Sequence, residues 1–282
     1  MPLVLATTAP GQPGSEALAE PEIFASLQGE GPSAGKPCAF VRLSRCHLAC
    51  VWCDTAYTWR FEGDERPHRS GETYARAANQ VTLSEDDAAA RIAALGKPRL
   101  VVTGGEPLLQ AAALARMLAI LREKHPRAPQ RRLGPQAASS TPAERGPSLR
   151  WDSHLVEIET NGTVAPPPVL DALVHQYNVS PKLAHSGNPA ALALIPERLA
   201  GWAAEPRACF KFVVAEPADV DEVIALRERY AIPSERIYLM AEGTDAATLA
   251  ARDRWLAELC LAHNLTLSRR LHIELYGDTR GT

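Results

Sequence analysis

The stretch Ala39-Phe-Val-Arg-Leu43-Ser-Arg-Cys46-His-Leu-Ala-Cys50-Val-Trp-Cys53-Asp54 decides how this chain is read. Its first five residues, Ala39–Leu43, form a short apolar run of the kind that suits a strand buried on both faces. The cysteines follow at once, on the loop at the strand's C-terminal end, where parallel α/β folds gather their active sites. Three thiolates at spacings of four and three can converge on one small inorganic centre. A structural zinc site wants a fourth protein ligand. No second Cys-x-x-Cys lies nearby, His47 is inside the loop, and Cys38 is on the incoming strand. An iron–sulfur cube held by three cysteines would instead leave one iron open, which is a catalytic feature.

Outward from this stretch the same kind of apolar run recurs at Leu100–Thr103, Leu155–Glu159, Tyr177–Ser180, Cys209–Val214, Ile237–Met240 and Leu271–Leu275. Between the runs lie helical stretches: Glu85–Leu95 behind the cap candidate Ser84, Leu108–Lys124, Pro168–Val174, Ala218–Tyr230 and Asp245–His263. In the last of these, Leu249, Trp255, Leu256, Leu259 and Cys260 recur at helical spacing behind Thr244, a plausible cap. About six alternations of strand and helix predict an α/β chain with a mainly parallel sheet and helices outside, either doubly wound or a barrel, complete or partial. Two stretches break the rhythm. Residues 1–20, rich in Ala, Pro and Gly, predict a flexible tail ahead of one catalytic domain spanning 21–282. Residues 127–150, rich in Pro, Ser, Arg and Gln, predict a surface insertion within it.

Composition narrows the function. With 46% hydrophobic and 22% charged residues among 282, the chain has material for a core and is not globally disordered. Thirty Lys and Arg against 33 Asp and Glu give a net charge of −3, without the basic footprint of a nucleic-acid binder. No run approaches the roughly 18 uninterrupted apolar residues of a spanning helix, and the N-terminus lacks a signal-peptide pattern, so a cytoplasmic protein with no membrane partner is expected. Four of six cysteines fall between Cys38 and Cys53, which in a cytosolic chain points to metal or redox chemistry before disulfides. Cys38, Cys209 and Cys260 lie in apolar runs or on an apolar helix stripe and read as small core residues.

The Cys-x3-Cys-x2-Cys spacing, with Trp52 just before the last cysteine, resembles the signature of radical S-adenosylmethionine (SAM) enzymes. Thr103-Gly-Gly-Glu-Pro107 resembles the segment that receives the methionine amino group of SAM there; paired glycines permit close approach and a carboxylate suits an ammonium. Leu27-Gln-Gly-Glu-Gly31, Arg42, Cys53-Asp-Thr55, Thr103–Pro107, Glu159-Thr-Asn-Gly162 and Ser180-Pro-Lys182 occur in one order. Together they resemble the 7-carboxy-7-deazaguanine synthase (QueE-type) family over most of the chain, from about Glu22 to Gly277. The chain departs from that pattern in the N-terminal tail, in 127–150 and at its extreme C-terminus.

The resemblance implies an incomplete (β/α) barrel, or partial TIM barrel, of about six repeats. It implies a carbon–nitrogen lyase that converts 6-carboxy-5,6,7,8-tetrahydropterin to 7-carboxy-7-deazaguanine with release of ammonia, in 7-deazapurine and queuosine biosynthesis. The cofactors implied are a [4Fe–4S] cluster, SAM and Mg2+. A reduced cluster would cleave SAM to a 5′-deoxyadenosyl radical that abstracts hydrogen from the pterin. Carried over by position, Cys46, Cys50 and Cys53 would ligate the cluster. Trp52, Cys53, Asp54, Gly105, Ser180, Pro181, Lys182, Leu239, Met240, Ala241 and Glu242 would contact SAM, the last four in a segment that departs in residue type from the family's more polar version. Thr55 would bind Mg2+, with helix capping as its plain alternative. Leu27, Gln28, Gly29, Arg42 and Thr103 would contact the substrate, Arg42 also reading as a salt-bridge partner. Glu30 and Glu159 read equally as catalytic groups or turn residues. A flavodoxin or ferredoxin donor and a homodimer are further implications. The competing readings are another radical SAM enzyme, such as a glycyl-radical activase, and a non-catalytic zinc-binding module.

Overall fold

The computed structural model describes residues 2–9, 19–124 and 154–282. The expected insertion at 127–150 lies outside the described residues. Ten strands form one sheet: β1 Leu3–Ala6, β2 Ile23–Leu27, β3 Pro37–Leu43, β4 Gln80–Leu83, β5 Arg99–Gly104, β6 Leu155–Thr160, β7 Gln176–Val179, β8 Ala208–Val214, β9 Ile237–Ala241 and β10 Thr266–Leu267. Their order is β10-β9-β8-β7-β6-β5-β3-β1-β4, with β2 pairing on β3. Every neighbour pair from β3 to β10 is parallel, while β1, β2 and β4 join antiparallel. Among the described residues no pairing closes β10 onto β2 or β4, so this is the open, incomplete barrel, and its six main parallel strands are the first six apolar runs.

The helices follow their capping chemistry. Ser84 accepts the Asp87 amide and starts Glu85–Ala94. At the long helix Ala246–His263 the cap is Asp245, which accepts the Thr248 amide at 2.8 Å, in place of the expected Thr244. Two further expectations are corrected. Leu3–Ala6 is no part of a loose tail: the four residues are buried in the sheet, paired to β4 and β3, because an apolar tetrapeptide completes an otherwise open edge. The run Leu271–Leu275 is not a strand but part of the helix Leu271–Tyr276; five apolar residues do not reveal their period. The sequence reading also missed the helix Pro196–Ala204, whose Trp202 packs in the core and donates to Gly162 O at 2.8 Å. No described helix is long and apolar enough to cross a membrane.

Strand alternation positions the site. One face of the parallel strands carries Val41, Leu43, Val102, Ile158, Phe210, Phe212 and Leu239, all fully buried in the core shared with the helices. Each such side chain contributes roughly 1.5–3 kcal/mol of transfer free energy. The other face carries Arg42, Thr103, Glu159, Lys211 and Met240, which line a cleft inside the curved sheet at the strands' C-terminal ends. Register fixes their neighbours: Arg42 lies beside Thr103, and Glu159 beside Asn178.

Candidate active site

The loop after β3 is held from beneath by the turn after β5. Gly105 N donates to Leu43 O at 3.0 Å and Glu106 N to Arg45 O at 2.8 Å. A Cβ at Gly104, whose φ is +142°, would strike the Leu43 backbone, and one at Gly105 would strike the Arg45 carbonyl. The glycine pair is thus demanded by backbone packing against the cysteine loop. Glu106 is fully buried and its carboxylate accepts from Leu108 N, Thr160 Oγ1 and Asn161 N at 2.8–3.0 Å. Through these bonds it pins the exit of β6.

Cys46, Cys50 and Cys53 all line the cleft. Burial pushes the Cys46 thiol up to about 12 and that of Cys53 to about 11, and raises Cys50 as well. Burial thus favours the neutral thiols, and a bound cationic centre would stabilise the thiolates. Among the described residues no three His, Cys, Asp or Glu side chains converge tightly enough to clasp a single metal ion. Each sulfur also faces an N–H: Asn188 Nδ2 lies 3.2 Å from Cys50 Sγ, Trp59 Nε1 lies 3.4 Å from Cys53 Sγ, and Asn161 Nδ2 lies 4.0 Å from Cys46 Sγ. The donor set fits an iron–sulfur cluster.

Beside the loop, Trp52 stacks on His185 with centroids 5.3 Å apart, and Lys182 Nζ sits 5.6 Å from the Trp52 ring while donating to Ser180 Oγ at 2.8 Å. Among the described residues the buried Trp52 indole N–H has no hydrogen-bond partner. Trp52, Asp54, Gly105, Ser180, Lys182 and Met240 share the cleft wall. Pro181, Leu239, Ala241 and Glu242 do not. Leu239 and Ala241 are buried in the core because alternate residues of β9 face opposite ways. The Glu242 carboxylate is taken by Arg69 and by Arg252, the latter at 2.6 Å.

The far half of the cleft brings together Leu27, Gln28, Gly29, Arg42, Thr55 and Thr103. Gln28 Nε2 and Thr103 Oγ1 donate to Glu159 at 3.2 and 2.8 Å, so Glu159 is a wall of this half and no turn cap. Arg42 Nε is committed to the fully buried Glu22 at 2.8 Å, and Tyr57 donates to the same carboxylate; Arg42 is thus a salt-bridge partner whose side chain also lines the cleft. Thr55 Oγ1 lies 3.6 Å from Cys53 Sγ and makes no side-chain cap bond. Gly29 lets the His272 ring lie against its backbone, where a Cβ would collide.

A charged chain crosses this half. Glu30 pairs with Lys211 and Arg270, and Arg270 continues to Asp54. Burial alone would raise the Glu30 carboxyl, but the Lys211 and Arg270 charges outweigh it and hold it well below the usual carboxylate range. Asp54 is lowered in the same way, burial being outweighed by Arg270. Asp278, Arg280 and Thr282 close the rim, with the Arg280 guanidinium 3.5 Å from the Tyr57 ring centroid.

Comparison with known proteins places this geometry. Residues 27–130 match the 4Fe-4S single cluster domain family. The 7-carboxy-7-deazaguanine synthase of Pyrobaculum aerophilum is 34% identical over 264 residues, spanning 92% of this chain and 95% of that protein. The Halobacterium salinarum protein of the same name is 31% identical over 309 residues, covering all of both chains. The crystal structure of QueE from Escherichia coli superposes with a TM-score of 0.56 at 22% identity over 95% of each chain, which supports the shared fold. The chain belongs to the 7-carboxy-7-deazaguanine synthase family. It is accordingly a radical SAM enzyme with a [4Fe–4S] cluster and SAM as cofactors.

Several residues of this synthase-family site escaped the sequence reading. Lys211 carried a usable signal, a lone cation inside the apolar strand Cys209–Val214. Arg270, His272 and Asn188 carried none, because chain separations of more than a hundred residues bring them to Asp54, Glu30 and Cys50, while Tyr57, just past the cysteine loop, is joined to the site through the buried Glu22. Cys38 and Cys260 are buried as expected. Cys209 is only partly so, its thiol donating to Tyr177 O and Asn178 Oδ1 at 3.4 and 3.2 Å.

Proposed function

We propose that this site converts 6-carboxy-5,6,7,8-tetrahydropterin to 7-carboxy-7-deazaguanine with loss of ammonia. The observation that carries the reading is the continuity of one cleft, from the three cysteines through the unpartnered Trp52 N–H to the cations Arg42, Lys211 and Arg270. Cys46, Cys50 and Cys53 hold the cluster, which when bound supplies one electron to SAM. Trp52, Cys53, Asp54, Gly105, Ser180, Lys182 and Met240 position SAM; the engaged or core-facing Pro181, Leu239, Ala241 and Glu242 support that wall from behind.

The substrate half follows from charge and hydrogen-bond chemistry. A pterin offers a carboxylate and a ring edge rich in N–H donors. Arg42 and Lys211 meet the former, and the Glu159 carboxylate with the Gln28 amide meets the latter. Leu27 and Gly29 shape the ring slot, and Thr103 holds Glu159 in place. Thr55 offers a hard oxygen for Mg2+ beside the substrate carboxylate. The Asp54–Arg270–Glu30–Lys211 chain keeps these groups ionised and oriented while the 278–282 rim excludes water. The reading includes a flavodoxin- or ferredoxin-type electron donor, a homodimer and a cytoplasmic location; six unpaired cysteines support a reducing compartment.

Anaerobic incubation of the reconstituted protein with SAM, dithionite, Mg2+ and the carboxytetrahydropterin tests the reading. Formation of the deazaguanine product with stoichiometric ammonia is expected. Absence of product from protein carrying about four irons and four sulfides per chain refutes the substrate assignment.

A further inference from the structure

The three cysteine sulfurs are met by side chains that reach them from three separate segments. Two of these contacts are well within bonding range, and both have an unambiguous donor. Trp59 Nε1, 3.4 Å from Cys53 Sγ, belongs to an indole, which can only donate. Asn188 is an amide, whose two ends are usually interchangeable on paper, but its Oδ1 accepts the Ala49 backbone N–H at 2.8 Å. A backbone amide cannot accept, so the oxygen must face Ala49 and the Nδ2 must face Cys50 Sγ, at 3.2 Å. The same Nδ2 is steadied by Ser186 Oγ at 3.1 Å, and Ser186 O accepts from Val51 N at 2.9 Å. Asn188 therefore grips the cysteine loop at Ala49 and Cys50 together. Trp59 is held as firmly: it is 5% exposed and lies beneath the Arg66 guanidinium, 4.7 Å from the ring centroid.

We propose that Trp59 and Asn188 are positioning residues that raise the reduction potential of the cluster by donating hydrogen bonds to the sulfurs of Cys53 and Cys50. The physical basis is general. The one-electron-reduced cluster carries one more negative charge, spread partly onto its thiolates, and a fixed N–H dipole stabilises that form more than the oxidised one. Both side chains act through the cysteine sulfurs they donate to, and ligation itself falls to the three cysteines. The proposal rests on the reading of Cys46, Cys50 and Cys53 as ligands.

The test is an EPR-monitored dithionite titration of the anaerobically reconstituted full chain, with iron and sulfide counted in every sample. Trp59→Phe keeps the ring and removes only the donor. Asn188→Asp keeps the acceptor for Ala49 and sets a carboxylate oxygen against the sulfur. Both variants should hold the cluster yet show a more negative midpoint. At the wild-type midpoint the ratio of reduced to oxidised cluster should fall about tenfold in each, which for one electron corresponds to about 59 mV. An unchanged midpoint in the cluster-loaded fraction of both variants overturns the proposal. So does loss of cluster in Asn188→Asp together with an unchanged midpoint in Trp59→Phe, since both side chains are then scaffold alone. Cys50→Ala is titrated alongside. Full iron content in that variant overturns the ligand reading itself, whereas iron loss there with unmoved midpoints elsewhere rejects only the tuning role.

Discussion

Neighbouring residues of β8 belong to different worlds. Phe210 and Phe212 are fully buried against helices, while Lys211 between them projects into the cleft and pairs with Glu30. The same division runs through β3, where Val41 and Leu43 flank Arg42, and through β5, where Val102 precedes Thr103. One face supplies cohesion through area removed from water, and the other supplies chemistry through charges that only the sheet's curvature gathers. A pleat of period two thus lets a single strand specify fold and function with little cross-talk.

The sharpest way to isolate the chemical face is Cys50→Ser. It should abolish turnover and lower iron content while leaving the far-ultraviolet circular dichroism intact, and a variant with wild-type iron would break the assignment. Next come adjacent substitutions on opposite faces. Phe212→Ala should cost about 3–5 kcal/mol of unfolding free energy by denaturant titration, with turnover per folded molecule unchanged. Lys211→Met should lower kcat/KM on the order of a hundredfold, about 2.7 kcal/mol, with a smaller stability loss because Glu30 keeps Arg270. Equal activity losses from the two would show that the faces are not separable.

A smaller effect concerns pH. The Glu30 carboxyl is held below its ordinary value of 4.5 by Lys211, Arg270 and His272 against the opposing effect of burial. A depressed carboxylate contributes stability that is complete above the unfolded value and lost as pH falls below it. Wild-type stability should therefore drop more steeply than that of Glu30→Gln between about pH 4.5 and pH 3. Parallel curves from chemical denaturation would remove Glu30 from the acid response. Least of all, Thr55→Ala should raise the Mg2+ requirement for half-maximal activity about tenfold, some 1.4 kcal/mol, without altering the SAM dependence; an unchanged magnesium response rejects that role.

These two faces also differ in how they are written in the sequence. The outer face announces itself as apolar runs, and six of seven such runs are parallel strands. The cysteine loop is local, so its spacing and its place after β3 are visible directly. What stays hidden depends on contacts across long separations. Arg270 meets Asp54 from 216 positions away, and Asn188 meets Cys50 from 138. No periodicity links such residues. Leu239 to Glu242 is legible only in part for the opposite reason: the segment is contiguous, yet a strand presents every second residue to one side, and of the four Met240 lines the cleft.

The first strand has a bearing on how the protein is handled at the bench. Leu3–Ala6 is stitched to the end of β3 by the Gln110 amide, which accepts from Val4 N at 2.8 Å and donates to Val4 O and Ser44 O at 2.9 and 3.0 Å. Ser44 begins the loop that carries the cysteines. Trimming the opening residues to tidy a purification would strip that splint from the iron-binding loop, so a preparation that comes out colourless after such trimming reports a lost brace, while its cysteines remain intact.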